Sequence, residues 1–299
     1  MSTAHVERVR ATAFAKLTLS LRVLGPPRAD GFHDVEALTV PIGQPHDALE
    51  AVAAPDQPGI TLDVVAGDDG VPTGRENLAV RAAESLLARS RRGGRGVQLA
   101  LRKRIPSARG LGGGSADAAA SLLAVHQLLE AKVPDAELFA LAADLGSDVP
   151  FFLAGGAAWM RGRGDVLERV ALRPGLPMLV VMPPFPLATV DVYRAWDDLA
   201  GPRSPRSVPS PEPIAGLVPE LVNDLEPAAE QVDPRLRPLR ERIEDAAGRG
   251  ALMAGSGPTY VVLADRPVGL PERAEELSGA VGVPVLAAAT VSKAVRLEV

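Results

Sequence analysis

Cysteine is absent from this 299-residue chain. That excludes disulfides, thiol catalysis and cysteine-ligated metal sites. Aromatic residues make up only 3%, so any core must be built from Leu, Val and Ala. No apolar run continues for the roughly 18 residues that a membrane-spanning helix needs. Histidine is scarce: His5, His33, His46 and His126 are scattered and form no ligand pair at helical spacing. No metal site is expected from them. A basic excess is also missing. The net charge of −5 speaks against nucleic acid as a partner, because a phosphate backbone calls for a basic face. The first residues lack the continuous apolar segment of a signal peptide and are interrupted by Glu7, Arg8 and Arg10. A cytoplasmic location is the resulting expectation. What remains is ordinary globular composition, 46% hydrophobic and 23% charged. The length suits one large domain or two moderate ones.

Glycine is not lacking, and it is concentrated. Gly110-Leu111-Gly112-Gly113-Gly114-Ser115 places four glycines in five positions. Before it, Val97 to Arg104 alternates apolar and polar residues with a period of two, a strand signal. After it, Ala116 to Glu130 contains good helix formers and no Gly or Pro. So many glycines cost conformational entropy, which a chain tolerates where backbone must bend unusually or approach something closely. At a helix entrance that something is often phosphate, met by free N–H groups and the positive end of the helix dipole. The segment is not a Walker A loop, because Gly114 is followed by Ser115 with no lysine. Nor is it the dinucleotide fingerprint, whose sixth position from Gly110 is here Ser115 and not Gly.

Elsewhere the spacing predicts strands over Ala11 to Leu24, Val35 to Ile42, Ala48 to Ala53 and Ile60 to Val65, with residues 1 to 10 a frayed leader. Lys16 falls on the strand face opposite Leu17, Leu19, Leu21 and Val23. Helices are predicted over Asn77 to Arg89 and over Ala136 to Leu145, the second capped by Asp135 and ended by Gly146. Asp148 follows that stop and precedes the apolar pair Phe151-Phe152. Strands follow at Ala157 to Arg161, Asp165 to Leu172 and Leu179 to Met182, then a short helix, Val190 to Leu199, carrying Tyr193 and Trp196. Residues 201 to 213 are Pro/Ser-rich and read as a mobile loop. A helical part is expected from Leu221-Val222-Asn223-Asp224-Leu225-Glu226 through Leu236 to Ala247. A second glycine turn, Gly255-Ser256-Gly257-Pro258, leads into a strand at Thr259 to Ala264 and a helix around Glu272 to Gly279. The last strand is Val283 to Ala289 or Val291 to Val299. Strands and helices mix without regular βαβ alternation, which favours α+β.

Three stretches then stand together in order: Ala15-Lys16, Pro106 to Ala116 (PSARGLGGGSA), and Met253 to Thr259 (MAGSGPT). Together they resemble the GHMP kinase superfamily. Arg28 to His33, Glu76-Asn77-Leu78, Leu145 to Phe152 and Asn223 to Glu226 narrow the resemblance to its members that act on a cytidine-diphosphate-linked methylerythritol in non-mevalonate isoprenoid biosynthesis. The resemblance implies a two-domain fold: a ribosomal-protein-S5-like α/β domain over residues 1–170, an α/β-sandwich domain over 171–299, and the site in the cleft between them. It implies transfer of phosphate from ATP, with Mg2+, to the 2-hydroxyl of that small-molecule acceptor. A different alcohol acceptor, or nucleotide binding without transfer, are the alternatives. Lys16 and Asp148 would be the catalytic pair. Pro106, Gly110, Leu111, Gly112, Gly113, Gly114, Ser115 and Ala116 would wrap the ATP phosphates, with Asn77 and Lys103 near the adenine. Thr18, Phe32, His33, Gly255, Ser256 and Gly257 would meet the acceptor, His33 and Phe32 at its cytidine end. Ser115 stays open between touching phosphate or magnesium and only capping its helix. Two positions depart from the family pattern: Thr18 stands where Asn is usual and Phe32 where Tyr is usual, both on the acceptor side.

Overall fold

The structure is a computed structural model, and it describes residues 7–67, 70–90, 96–199, 206–216 and 218–298. Two long strands, β1 (Arg8–Val23) and β2 (Val35–Ala54), pair antiparallel along nearly their whole length. Leu17, Leu19 and Leu21 are buried, as their alternation requires. The strand starts at Arg8, inside the stretch expected to fray. Arg8 and Arg10 sit opposite Val52 and Glu50, and the Arg10 guanidinium donates to Glu50 at 2.8 Å. Residues 1 to 6 of that expected leader lie outside the described residues. The two strands expected over 35–53 are one strand: Pro41 pairs in register with Lys16, and a register shift between Phe14 and Ala15 carries the strand past Pro45.

β3 (Gly59–Ala66) runs parallel to β4 (Gly96–Arg102), and α1 (Leu78–Arg89) crosses between them. α2 (Gly113–Leu128) is the central helix. Its run of alanines lets it sit close to α1, β1 and β2, and Ala116, Ala118, Ala119, Ala120 and Ala124 are fully buried. It begins three residues before the predicted start, inside the glycine run. α3 (Asp135–Leu145) has Pro134 and not Asp135 at its N-cap. Asp135 is the first helical residue, where its charge still favours the helix dipole. α4 (Val149–Ala154) was not predicted from sequence, being one and a half turns long. Pro150 is tolerated there because a first-turn N–H has no intrahelical partner. β5 (Ala158–Gly162) and β6 (Val166–Arg169) form a hairpin that joins β2.

The chain then builds a second layer. β7 (Pro177–Val181) is buried at every residue and leads to α5 (Thr189–Asp198). The stretch read as a mobile loop contains β8 (Ser207–Pro209), followed by α6 (Glu212–Ala215); residues 201–205 of it lie outside the described residues. β9 (Glu220–Val222) pairs with β8, so the segment expected to open a helix at Leu221 is extended, and α7 (Glu226–Val232) starts only at Glu226. α8 (Leu236–Ala247), β10 (Leu252–Met253), β11 (Tyr260–Leu263), α9 (Leu270–Val281), β12 (Val285–Ala289) and β13 (Val295–Glu298) complete the order. Both candidates for the last strand therefore form.

Among the described residues the first sheet runs β13-β1-β2-β4-β3 with the β5–β6 hairpin attached, and the second runs β10-β11-β7-β12. The architecture is α+β with two sheet-based units, as expected. β13 returns to the edge of the first sheet beside β1, so the sheets do not divide at a single cut between 170 and 171. No helix among the described residues is long and apolar enough to cross a membrane.

Candidate active site

The glycine segment sits where β1, α2 and the turn at Gly255 meet. The first hydrogen bond inside α2 runs from the Ala116 N–H to Gly112 O, at 2.9 Å. The N–H groups of Gly113, Gly114 and Ser115 therefore have no partner within the helix. Gly112 takes a left-handed conformation, φ 71°, and a Cβ there would stand 2.9 Å from Lys16 Cγ and 2.9 Å from Phe152 Cζ. Gly110 (φ 74°) lies against the other layer, its Cβ position 3.1 Å from the Gly257 carbonyl. Leu111 is buried and anchors the loop, and its carbonyl accepts from the Lys16 N–H at 3.0 Å. Arg109 O accepts from the Thr259 hydroxyl at 2.8 Å. The loop is thus held from both sides, and its helix entrance is left open to an anion.

Lys16 and Asp148 come together. The ammonium lies 3.4 Å from the carboxylate, with the lysine mostly buried and Asp148 about a third exposed. Lys16 comes from the middle of β1 and Asp148 from the N-cap of α4, where a short helix end aims it inward. Both line a cavity of about 550 Å³ with Thr18, Phe32, His33, Gly110, Gly112, Gly255 and Ser256. At its other end His33 is buried, stacks on Tyr193 with ring centroids 5.1 Å apart, meets Trp196 in a T-shaped contact at 5.3 Å, and bonds through Nε2 to Asp197 Oδ1 at 2.7 Å. Phe32 is 55% exposed, with the Arg163 guanidinium 5.3 Å above its ring. Burial, with the Asp148 charge adding to it, pushes the Tyr193 phenol up to about 12, so it stands neutral in the cavity wall. Thr18 shares a hydrogen bond with Thr39 at 3.3 Å. Ser256 bonds to Thr189 at 2.8 Å. Tyr193, Thr189 and Arg163 line the cavity and were not singled out from sequence as site residues. The aromatic pair on the short helix was the available signal for Tyr193.

Other expected residues stand outside that lining. Gly257 packs under the turn, with Met253 Sδ 2.7 Å from its Cβ position. Pro106 and Gly113 to Ala116 form the approach and first turn of α2. Asn77 caps α1: its Oδ1 accepts from the Ala79 N–H at 2.9 Å and its Nδ2 donates to Pro72 O at 2.7 Å, leaving one amide proton. Lys103, expected near the adenine, has its ammonium held inside the protein. Its side chain is 8% exposed, and its ammonium is bound by Asp47 and by Asp117, the latter at 2.6 Å. Sequence reasoning missed both aspartates, because neither stands at a motif spacing from Lys103.

A partly buried lysine–aspartate pair beside an open glycine-lined helix entrance is compatible with a phosphotransferase site. The family model for the GHMP kinases N terminal domain matches residues 77–156, which span α1, the loop, α2 and Asp148. Among curated relatives, a 4-diphosphocytidyl-2-C-methyl-D-erythritol kinase of Pelotomaculum thermopropionicum is 43% identical over 259 residues, covering 84% of this chain and 87% of the relative. One of a Nocardioides species is 41% identical over 284 residues, covering 92% and 94%. Among solved structures, a 4-(cytidine 5'-diphospho)-2C-methyl-D-erythritol kinase is 37% identical with a TM-score of 0.76 over 94% of this chain and 98% of its own. Homoserine kinase from Cytophaga hutchinsonii, at 18% identity and a TM-score of 0.73, shares the fold. The fold and loop define a GHMP kinase. Within that class, the chain belongs to the 4-diphosphocytidyl-2-C-methyl-D-erythritol kinase family.

Proposed function

We propose that this chain transfers the γ-phosphoryl group of ATP to the 2-hydroxyl of 4-diphosphocytidyl-2-C-methyl-D-erythritol, a step of non-mevalonate isoprenoid biosynthesis. The observation that carries the reading is the Lys16–Asp148 pair, 3.4 Å apart on the wall of a cavity that runs from the glycine loop to the His33–Tyr193 wall. ATP phosphates would lie on the free N–H groups at the start of α2. The cytidine would lie against His33, Tyr193 and Phe32. The acceptor hydroxyl would then reach Asp148.

Phosphoryl transfer asks for alignment and charge neutralisation more than for covalent help. Asp148 would accept the hydroxyl proton as the oxygen bonds to the γ-phosphorus and the bond to ADP breaks. Lys16 would offset the negative charge that develops on the transferred group. Among the described residues no three His, Cys, Asp or Glu side chains are grouped to hold a metal. A Mg2+ ion that arrives with ATP needs only phosphates, waters and one or two protein oxygens, and Ser115 and Asp148 are the side chains that would supply them. It would add charge neutralisation on the phosphates.

Asp148→Asn tests the reading. The variant keeps shape and folding, and kcat should fall by about 10²–10⁴-fold in an ADP-release assay with the cytidine-diphosphate acceptor. Full activity in the variant would remove Asp148 from the chemistry. Wild-type turnover with simple alcohols but not with this acceptor would favour the different-acceptor reading, to which Thr18 and Phe32 point.

A further inference from the structure

Lys103, Asp47 and Asp117 form a closed, buried ionic cluster beneath the glycine loop. Their side chains are 8%, 0% and 4% exposed. Each member comes from a different element that meets the loop. Asp47 lies in β2, where its Oδ1 accepts from the N–H groups of Arg104 (2.5 Å) and Ile105 (2.8 Å), the residues that lead out of β4. Its Oδ2 binds the Lys103 ammonium. Asp117 lies in the second turn of α2 and binds the same ammonium at 2.6 Å. The Cβ position of Gly113, the first residue of α2, is 3.2 Å from Lys103 Nζ. The stem of Lys103 fills the space beside Gly67. The ammonium is enclosed, and Lys103 is not among the residues that line the cavity with Lys16 and Asp148.

Two carboxylates against one ammonium leave a net negative charge if all three are ionised, and burial makes that costly. Burial pushes Asp117 well above the usual carboxylate range; Lys103 opposes this and Asp47 adds to it. Burial works against the charge on Lys103, but Asp117 and Asp47 outweigh it and hold the lysine charged.

We propose that the Lys103 side chain is a positioning group: with Asp47 and Asp117 it clamps the first turns of α2 to the end of β4, and so fixes the N–H groups of Gly113, Gly114 and Ser115 that receive phosphate. The inference rests on the ATP-binding part of the reading above. It makes a distinction that an adenine contact does not. Loss of the clamp weakens any ligand held by the loop, including one with no base.

The test compares wild-type, Lys103→Met, Asp117→Asn and the double variant, with ATP, adenosine and inorganic tripolyphosphate as probes in titration calorimetry. Lys103→Met should weaken ATP and tripolyphosphate by the same factor, about tenfold or more, the worth of one charge-assisted bond, and leave adenosine within about twofold. Asp117→Asn keeps the shape and one oxygen for the ammonium but not the carboxylate charge, and should weaken ATP and tripolyphosphate together, by less than Lys103→Met does, with adenosine within about twofold. The double variant should lose no more than Lys103→Met alone, because both substitutions remove the same contact. If Lys103→Met does not fold, the same comparison is made with the double variant. Weakening of ATP and adenosine with tripolyphosphate unchanged would make Lys103 a base ligand and overturn the inference. So would unchanged binding of all three. A wild-type protein that binds ATP but no tripolyphosphate would overturn it too, while a wild-type protein that binds neither would overturn the ATP-binding reading itself.

Discussion

Alanine at position 112 sets backbone strain and side-chain crowding against each other in one residue. Gly112 holds φ at 71°, a region that costs an L-residue about 1–2 kcal/mol. The added methyl would also have to fit 2.9 Å from Lys16 Cγ and 2.9 Å from Phe152 Cζ. The Phe152 ring is buried at 1% exposure and packs edge-on against Phe151, so it has little room to yield. Crowding of that kind costs about 1–3 kcal/mol, and the two together come to about 2–5 kcal/mol. Gly269 provides the control. It has nearly the same dihedral, φ 70°, but nothing within 4 Å of its Cβ position, so Gly269→Ala should lose only the strain, about 1–2 kcal/mol. The entropy gained by replacing glycine in the unfolded chain applies to both and cancels in the comparison. Urea denaturation of the two variants gives the difference. The second outcome is kinetic: moving Lys16 Cγ displaces the ammonium from Asp148, so Gly112→Ala should lose kcat and Gly269→Ala should not. If Gly112→Ala were no less stable than Gly269→Ala, or kept wild-type kcat, the packing of Lys16 against the loop would have been misjudged.

Other outcomes follow from the second layer and the cavity wall. Asn223 is buried and donates to Met253 O (2.6 Å) and Gly255 O (2.7 Å), while accepting from the Leu225 N–H (3.0 Å). Asn223→Ala should cost about 1–3 kcal/mol in urea denaturation and raise KM for the acceptor more than KM for ATP. Tyrosine ionisation is readable because the chain has only Tyr193 and Tyr260. Burial raises both, Tyr193 to about 12 and Tyr260 further, so folded protein should show no tyrosinate absorbance near pH 10, where the unfolded chain shows it. The folded state holds the phenolic protons more tightly, so their contribution is fully present below pH about 10 and is lost as pH rises through the folded values. Half-titration of the folded protein near pH 10 would refute the burial of the phenols.

The local pieces were legible because each rests on short-range rules. Glycines followed by an alanine-rich run specify a helix entrance that can receive an anion, and alternation specifies β1 and its buried leucines. The motifs that resemble a kinase family could be collected from the same text. Errors fell where context outvotes local pattern. Leu221-Val222 reads as helix by composition, yet β8 offers it an edge to pair with. Arg8 and Arg10 read as a frayed end, yet Glu50 and β2 hold them.

Chain order alone says which residues exist and what each prefers to form with its near neighbours, since local preferences for helix, strand and turn act over a few positions. Pairings between distant positions belong to tertiary structure. Lys16 meets Asp148 only because β1 and α4 both pack against the glycine loop, and Lys103 turns inward only because β2 and α2 bring two buried carboxylates to it. A charge goes where desolvation is best compensated, and that depends on every element around it, which no spacing along the chain records.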